Sequence, residues 1–380
     1  MPHVASIERI LIRGTNWVGD SIMTIPALRQ MRRLFPAAHL TLLVRRALAG
    51  LFREADFVDE VLAMELGSVR DYWRAASVLR SRRYDLAVLL PNAFSAALLA
   101  RAAGIPIRAG YPTDGRGWLL THRLSFPPDW RRQHQVYAYL HLVAEVERQL
   151  LGTTRVSFAD PIPRVTVSEE RKREALAFLA ERGVDVGRKI VVMNPGAVNS
   201  RAKQWLPERF AAVGDAVLER GDTAVVLIGT RAERAVSEAV RRHMRRAPVV
   251  VTGETSLDLM VAILRCAHLV ISNDTGAAHV APAVGTPVIV LFGPTEEVAT
   301  RPFSDRAVVI RRPVACAPCM RRECPIDHRC MRAITVEDVL RPAWQLLEGE
   351  KREPPLPVSS PMTSQTSPAI FRSPGDAGRG

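Results

Sequence analysis

The chain has 380 residues, 47% of them hydrophobic and 24% charged, a globular balance that excludes wholesale disorder and fits about two domains. No apolar run reaches the length of a membrane span, and "MPHVASIERILIRG" has neither the apolar core nor the cleavage site of a secretory signal, so a cytoplasmic protein is expected. The formal charge of +13 predicts anionic partners; it is carried almost wholly by arginine, and without a helix-turn-helix, a zinc-finger helix or an aromatic RNA platform it argues against nucleic acid.

In chain order, "IERILIRG" reads as a strand. A helix follows in "SIMTIPALRQMRRLF", where Ile22, Ile25, Leu28, Met31 and Phe35 recur at helical spacing. "HLTLLVRR" predicts a strand, "ALAGLFRE" a helix, "VDEVLAM" a strand, "VRDYWRAASVLRSRR" a helix and "YDLAVLLP" an apolar strand. Such alternation predicts a parallel sheet with helices on both faces. The pattern restarts at "ADPIPRVTVSEERKREALAFL", a Pro-containing linker from which Ser168 opens an amphipathic helix. Five more strand-like runs follow: "KIVVMNPG", "TAVVLIGT", "APVVVTG", "HLVISND" and "PVIVLFGP". The helix of "ITVEDVLRPAWQLLE" closes an α/β fold of two doubly wound, Rossmann-like halves, and the Pro/Ser/Gly-rich residues 351–380 read as a disordered tail.

The residues with chemical promise fall just after these strands, where ligands of doubly wound sheets bind. "GTNWVGDS" has the spacing of a phosphate-binding loop, G-x-x-x-x-G-K-[ST], with Asp20 in place of the lysine. A carboxylate repels phosphate, so Asp20 reads either as a helix N-cap or as a general base aimed into a cleft, with Gly14 and Gly19 permitting close approach of another molecule. In the first helical turn it faces the positive end of the helix dipole, which favours the ionised form.

In "NPGAVNSRAKQWLPERF" a bare turn precedes Lys203, which reads as a phosphate contact or as a solvated loop lysine. "IGTRAERAV" places Thr230 beside a turn glycine and Glu233 where it would reach ribose hydroxyls or serve as an N-terminal helix charge. In "ISNDTGAAHVAPAVGTPVIVLFGPT" the amides at Thr275 and Gly276 open a helix and suit a diphosphate. Asp274 is expected to hold loop amides or ligand hydroxyls, and His279 to be a packed neighbour or a ligand contact. Cys316, Cys319, Cys324 and Cys330 crowd into "CAPCMRRECPIDHRC", which reads as a four-sulfur structural zinc site, as free thiols or as a redox-sensitive loop.

"RGTNWVGDSIMTIPALRQ", "AKQWLPERF" and "NDTGAAHVAPAVGTPVIVLFGPT" together resemble the ADP-heptose:lipopolysaccharide heptosyltransferases, glycosyltransferases of the GT-B fold. Trp17 in "NWVGD" and the stretch "YDLAVLLPNAFSAALLARAAGIPIRAGY" are similar to the type II members. The resemblance implies two Rossmann-like domains facing across a cleft, residues 1–164 for the acceptor and 165–350 for the ADP-sugar. It implies inverting transfer of L-glycero-D-manno-heptose from ADP-heptose to the first heptose of a lipid A–Kdo–heptose acceptor, with peripheral contact to the inner membrane and no cofactor for the chemistry. Asp20 then matches the base, Lys203 the lysine near the diphosphate, Glu233 the ribose-binding acid, and Asp274, Thr275, Gly276 and His279 the D-T-G-x-x-H element around the donor. Gln204 and Leu206 depart from the family pattern, which has arginine and proline there. The rival readings are a related GT-B enzyme with another donor or acceptor and a non-catalytic nucleotide-binding module, which would leave Asp20 idle.

Overall fold

The computed structural model describes residues 7–127 and 129–349, so the tail expected at 351–380 lies outside the described residues. Strands β1 (Arg9–Arg13), β2 (His39–Arg45), β3 (Glu60–Met64), β4 (Leu86–Leu89), β5 (Ile107–Gly110) and β6 (His122–Arg123) form a parallel sheet in the order β3-β2-β1-β4-β5-β6. Strands β7 (Lys189–Asn194), β8 (Thr223–Leu227), β9 (Val249–Val250), β10 (Leu269–Asn273), β11 (Val288–Phe292) and β12 (Ala307–Arg311) form a second, in the order β12-β11-β10-β7-β8-β9. Counted from its own first strand, each sheet has the order 3-2-1-4-5-6. Each therefore reverses direction once, between β1 and β4 and between β7 and β10, and ligands bind beyond the strand ends at such reversals.

Helices α1 (Val18–Leu34), α2 (Val69–Ser81), α3 (Phe94–Ala102) and α4 (Gln135–Leu150) cover the first sheet. The second carries α5 (Glu169–Glu181), α6 (Pro207–Glu219), α7 (Arg234–His243), α8 (Leu257–Cys266), α9 (Gly276–Ala283), the single turns α10 (Glu297–Thr300) and α11 (Arg329–Arg332), and α12 (Val336–Glu348). Helix α1 is buried almost all round from Ser21 to Leu28, because it packs on α4 and on α9 as well as on its own sheet. One continuous core therefore runs from Ile10 and Leu28 through Val143 to Ile263, Val280 and Val288.

The Pro-containing crossing segment is fixed at both ends. The fully buried Glu147 carboxylate accepts from Thr153 Oγ1 at 2.6 Å and Val156 N at 2.8 Å, and Ser168 caps α5 as expected. Nearby, Arg171 pairs with Glu54 of the first half and Asp258 of α8 in the second.

Several elements differ from the sequence expectation, which assigned none of β5, β6, α3 or α4. "ALAGLFRE" forms a 3₁₀ turn, Arg46–Phe52, in place of an α-helix. Its Gly50 lies against α8, where a Cβ would sit 2.7 Å from Asp258 N, so tertiary packing dictates the local winding. Strand β12 was not expected, since its "AVVI" is a short apolar run bracketed by arginines at the sheet edge. Among the described residues no helix is long and apolar enough to cross a membrane.

Candidate active site

The β1–α1 loop is set by Arg13, which is 2% exposed at the end of β1. Its guanidinium bonds the Gly14 carbonyl and Asn16 Oδ1, and burial lowers its pKa to about 10. Trp17 is the N-cap residue of α1 and offers no side-chain cap, so Asp20 stands in the first turn without being the cap. Asp20 is half-buried, and that burial raises its pKa; Lys203 pulls it down and Asp274 pushes it up. The N-cap alternative is thus set aside, and desolvation works against the ionising effect expected of the helix dipole.

Across the junction, Asp274 follows β10 and is 6% exposed. Its Oδ2 accepts from Lys203 Nζ at 2.7 Å and from Thr295 Oγ1 at 2.8 Å. Of the two readings of Asp274, loop amides or ligand hydroxyls, the loop-amide one is set aside: Lys203 on the 3₁₀ turn Arg201–Lys203 takes the carboxylate instead, and each charge offsets the other. Thr275 is the N-cap residue of α9, yet its hydroxyl is engaged by Asn194 Nδ2 at 2.9 Å and lies 3.1 Å from Ser272 Oγ. The first-turn amides of α9 have no side-chain cap. Asn273 fixes the neighbouring turn, donating to the Pro195 carbonyl at 2.8 Å and accepting from Trp205 N at 3.0 Å.

The glycines have other partners than those expected. A Cβ on Gly19 would lie 2.9 Å from His279 Cδ2, and one on Gly276 would lie 2.7 Å from Val18 Cβ. What approaches Gly19 is the opposite half of the chain, and Gly276 admits Val18 as well as opening α9. Gly14 packs on its own sheet: its would-be Cβ meets Val44 Cγ1 at 3.0 Å and its N–H bonds the Leu43 carbonyl. Through these contacts the starts of α1 and α9 abut, and Asp20 and the Lys203–Asp274 pair face one region.

His279 is buried, its Nδ1 has no hydrogen-bond partner among the described residues, and burial lowers its pKa to about 4, so the ring is neutral. Asn194 Oδ1 is likewise buried and unpartnered. Glu233 turns inward: its Oε2 accepts from Thr230 N at 2.7 Å and Thr230 Oγ1 at 2.9 Å, a capping box, while the carboxylate fills the space beside Gly196. The ribose reading of Glu233 and Thr230 thus meets a carboxylate already holding its own helix start.

Of the three readings of the cysteine cluster, the zinc site finds no support. Among the described residues no three His, Cys, Asp or Glu side chains are grouped to hold a metal ion, and all the cysteines are free. The backbone commits each to different surroundings. Cys319 N donates to the Pro294 carbonyl, Cys324 Sγ accepts from His328 N, Cys330 is buried beside Gly293, and Cys316 is exposed.

A family model described as glycosyltransferase family 9 (heptosyltransferase) matches residues 72–329, more than half of the chain. The chain belongs to this family. Lipooligosaccharide heptosyltransferase 2 of Haemophilus influenzae is 29% identical over 315 residues, covering 80% of this chain and 88% of the relative. Lipopolysaccharide heptosyltransferase 2 of Escherichia coli K12 is 28% identical over 314 residues, with the same coverage. The solved structure of E. coli ADP-heptose lps heptosyltransferase II superposes with a TM-score of 0.77 at 26% identity, covering 90% of this chain and 99% of that one. This family 9 glycosyltransferase accordingly has the GT-B architecture. Its departure at Leu206 has a local reason: Leu206 is the N-cap residue of α6 and the helix-opening proline is Pro207, at the first helical position. Sequence reasoning assigned no role to Arg13, Asn194 or Thr295. Their signal is position alone: Arg13 and Asn194 close β1 and β7, and Thr295 lies in the loop after β11.

Proposed function

We propose that this glycosyltransferase transfers L-glycero-D-manno-heptose from ADP-heptose to the first heptose of the lipopolysaccharide inner core. The observation that carries the reading is Asp20, desolvated in the first turn of α1 and within the fields of Lys203 and Asp274 from the other half. A raised pKa makes a carboxylate a better proton acceptor. The acceptor hydroxyl attacks the anomeric carbon and loses its proton to Asp20. The bond from that carbon to the diphosphate oxygen breaks, its electron pair leaves with ADP, and the configuration inverts. Lys203 and the uncapped amides of α9 meet the charge that develops on the departing diphosphate. Residues 1–164 take the acceptor and 165–350 the donor.

The acceptor is a phosphorylated lipid, so the enzyme works against the cytoplasmic face of the inner membrane. The start of α2 supports peripheral docking: Val69 and Trp73 are 76% and 68% exposed, with Arg70 and Arg74 exposed beside them.

The test incubates the purified protein with ADP-heptose and lipopolysaccharides truncated at successive sugars, reading ADP release. Release is expected only when the acceptor carries its first heptose. Release with a heptose-free acceptor, or none with any, overturns the assignment.

A further inference from the structure

We propose that the cysteine-rich segment 316–328 is a brace that holds Lys203 in place, with His328 as its positioning residue. The functional consequence rests on the reading above, in which Lys203 meets the donor diphosphate.

The turn that carries Lys203 is too short to hold itself. Its own bonds are Lys203 N to the Ser200 carbonyl at 3.1 Å and Gln204 N to the Arg201 carbonyl at 3.0 Å. Ala202, the residue before the lysine, is 2% exposed, and buried backbone groups need partners. Both come from the distant segment: Ala202 N donates to the Arg322 carbonyl at 3.0 Å, and the Ala202 carbonyl accepts from His328 Nε2 at 2.6 Å. A carbonyl only accepts, so Nε2 carries the proton. Ser200 Oγ adds bonds to the carbonyls of Arg321 and Arg322, at 3.3 and 3.2 Å.

The same segment grips the other side of the ion pair. Cys319 N and Met320 N donate to the Pro294 carbonyl at 2.9 and 2.8 Å. The next residue, Thr295, donates to the Asp274 oxygen that pairs with Lys203 Nζ. One loop thus fixes the backbone beside Lys203 and beside Thr295, whose hydroxyl holds Asp274. Its own shape is tightly set, with Met320 and His328 at φ 56° and 59°, left-handed conformations that side chains beyond glycine adopt only when their surroundings impose them. The bond from His328 N to Cys324 Sγ at 3.3 Å orients the histidine, which gives that cysteine a part in the brace.

The test compares His328→Ala with His328→Gln in the full chain by two readouts. The first is acylation of Lys203 by an amine-reactive reagent, followed by mass spectrometry with Lys172 and Lys189 as internal standards. The second is calorimetric ADP affinity beside the KM values for donor and acceptor. His328→Ala should label Lys203 about fivefold faster, weaken ADP and raise the donor KM about tenfold, and leave the acceptor KM unchanged. His328→Gln, which keeps an N–H donor, should recover most of both. In the His328→Ala, Lys203→Ala double variant the ADP loss should not exceed that of Lys203→Ala alone. Unchanged labelling in a folded His328→Ala overturns the brace, as does a fully additive double variant. Faster labelling with normal ADP affinity upholds the brace and strikes the donor-site reading of Lys203. Should His328→Ala not fold, Ser200→Ala breaks the opposite edge of the same turn and should move the labelling rate in the same direction by about twofold; no change there overturns the brace.

Discussion

Gly19 and His279 meet where the two sheets join, with room for a hydrogen and none for a methyl group: a Cβ on Gly19 would fall 2.9 Å from the imidazole. The reciprocal contact of Gly276 with Val18 lies beside it. These paired contacts bring the start of α1, and with it Asp20, up to the start of α9.

Gly19→Ala should therefore force the two helix starts apart. The expected cost is about 1–3 kcal/mol of stability by overpacking, with a loss of turnover exceeding what the stability change explains. Denaturant titration beside steady-state ADP release checks it, and a variant with normal stability and turnover contradicts the packing.

The acid limb of the pH–rate profile should report Asp20. Its burial predicts an apparent pKa above the ordinary aspartate value, and because Lys203 pulls it down, Lys203→Met should move that limb to still higher pH. Profiles of kcat/KM for the two proteins decide this; a limb that stays in place separates the two groups.

Arg171 joins the halves through Glu54 and Asp258, and its side chain is 5% exposed against 25% and 24% for the two carboxylates. Arg171→Ala removes the cation shared by both carboxylates and should destabilise the protein by about 2–4 kcal/mol, measured by urea unfolding. Wild-type stability would show that the halves are held by their apolar core alone.

Stability should fall on acidification through two histidines. Burial holds His134 and His279 to a pKa of about 4, while the unfolded chain titrates near 6.5. Between these values the unfolded chain binds protons that the folded chain refuses, so stability is full above about pH 6.5 and drains away toward pH 4, by up to roughly 3 kcal/mol per histidine. In His134→Gln that decline should be shallower; an unchanged slope in the melting temperature against pH removes His134 from the effect.

What was legible in the sequence was local. Asp20 could be placed at a helix start because strand, glycine turn and helix follow one another within a dozen residues, and the Asp274–Gly276 turn was found in the same way. The doubled architecture showed in the alternation of periods. What the sequence hid was set by partners far along the chain. Nothing in "NWVGD" tells that Gly19 faces His279, or in "AKQW" that Lys203 reaches Asp274. The spacing of the cysteines suggests a metal, but the segment's backbone and His328 are committed to Pro294 and Ala202, far away in the chain, and among the described residues no metal-holding group forms. Of the two readings of Glu233 the structure displays the local one, since a carboxylate three residues after a threonine closes a capping box at its own helix start.

The proton-accepting role of Asp20 is tested most directly by single-turnover heptosyl transfer in Asp20→Asn beside calorimetric ADP binding by the same protein. Transfer should fall by about 10³-fold or more while ADP affinity stays within about threefold of wild type. Near-normal transfer by this variant would contradict the base assignment.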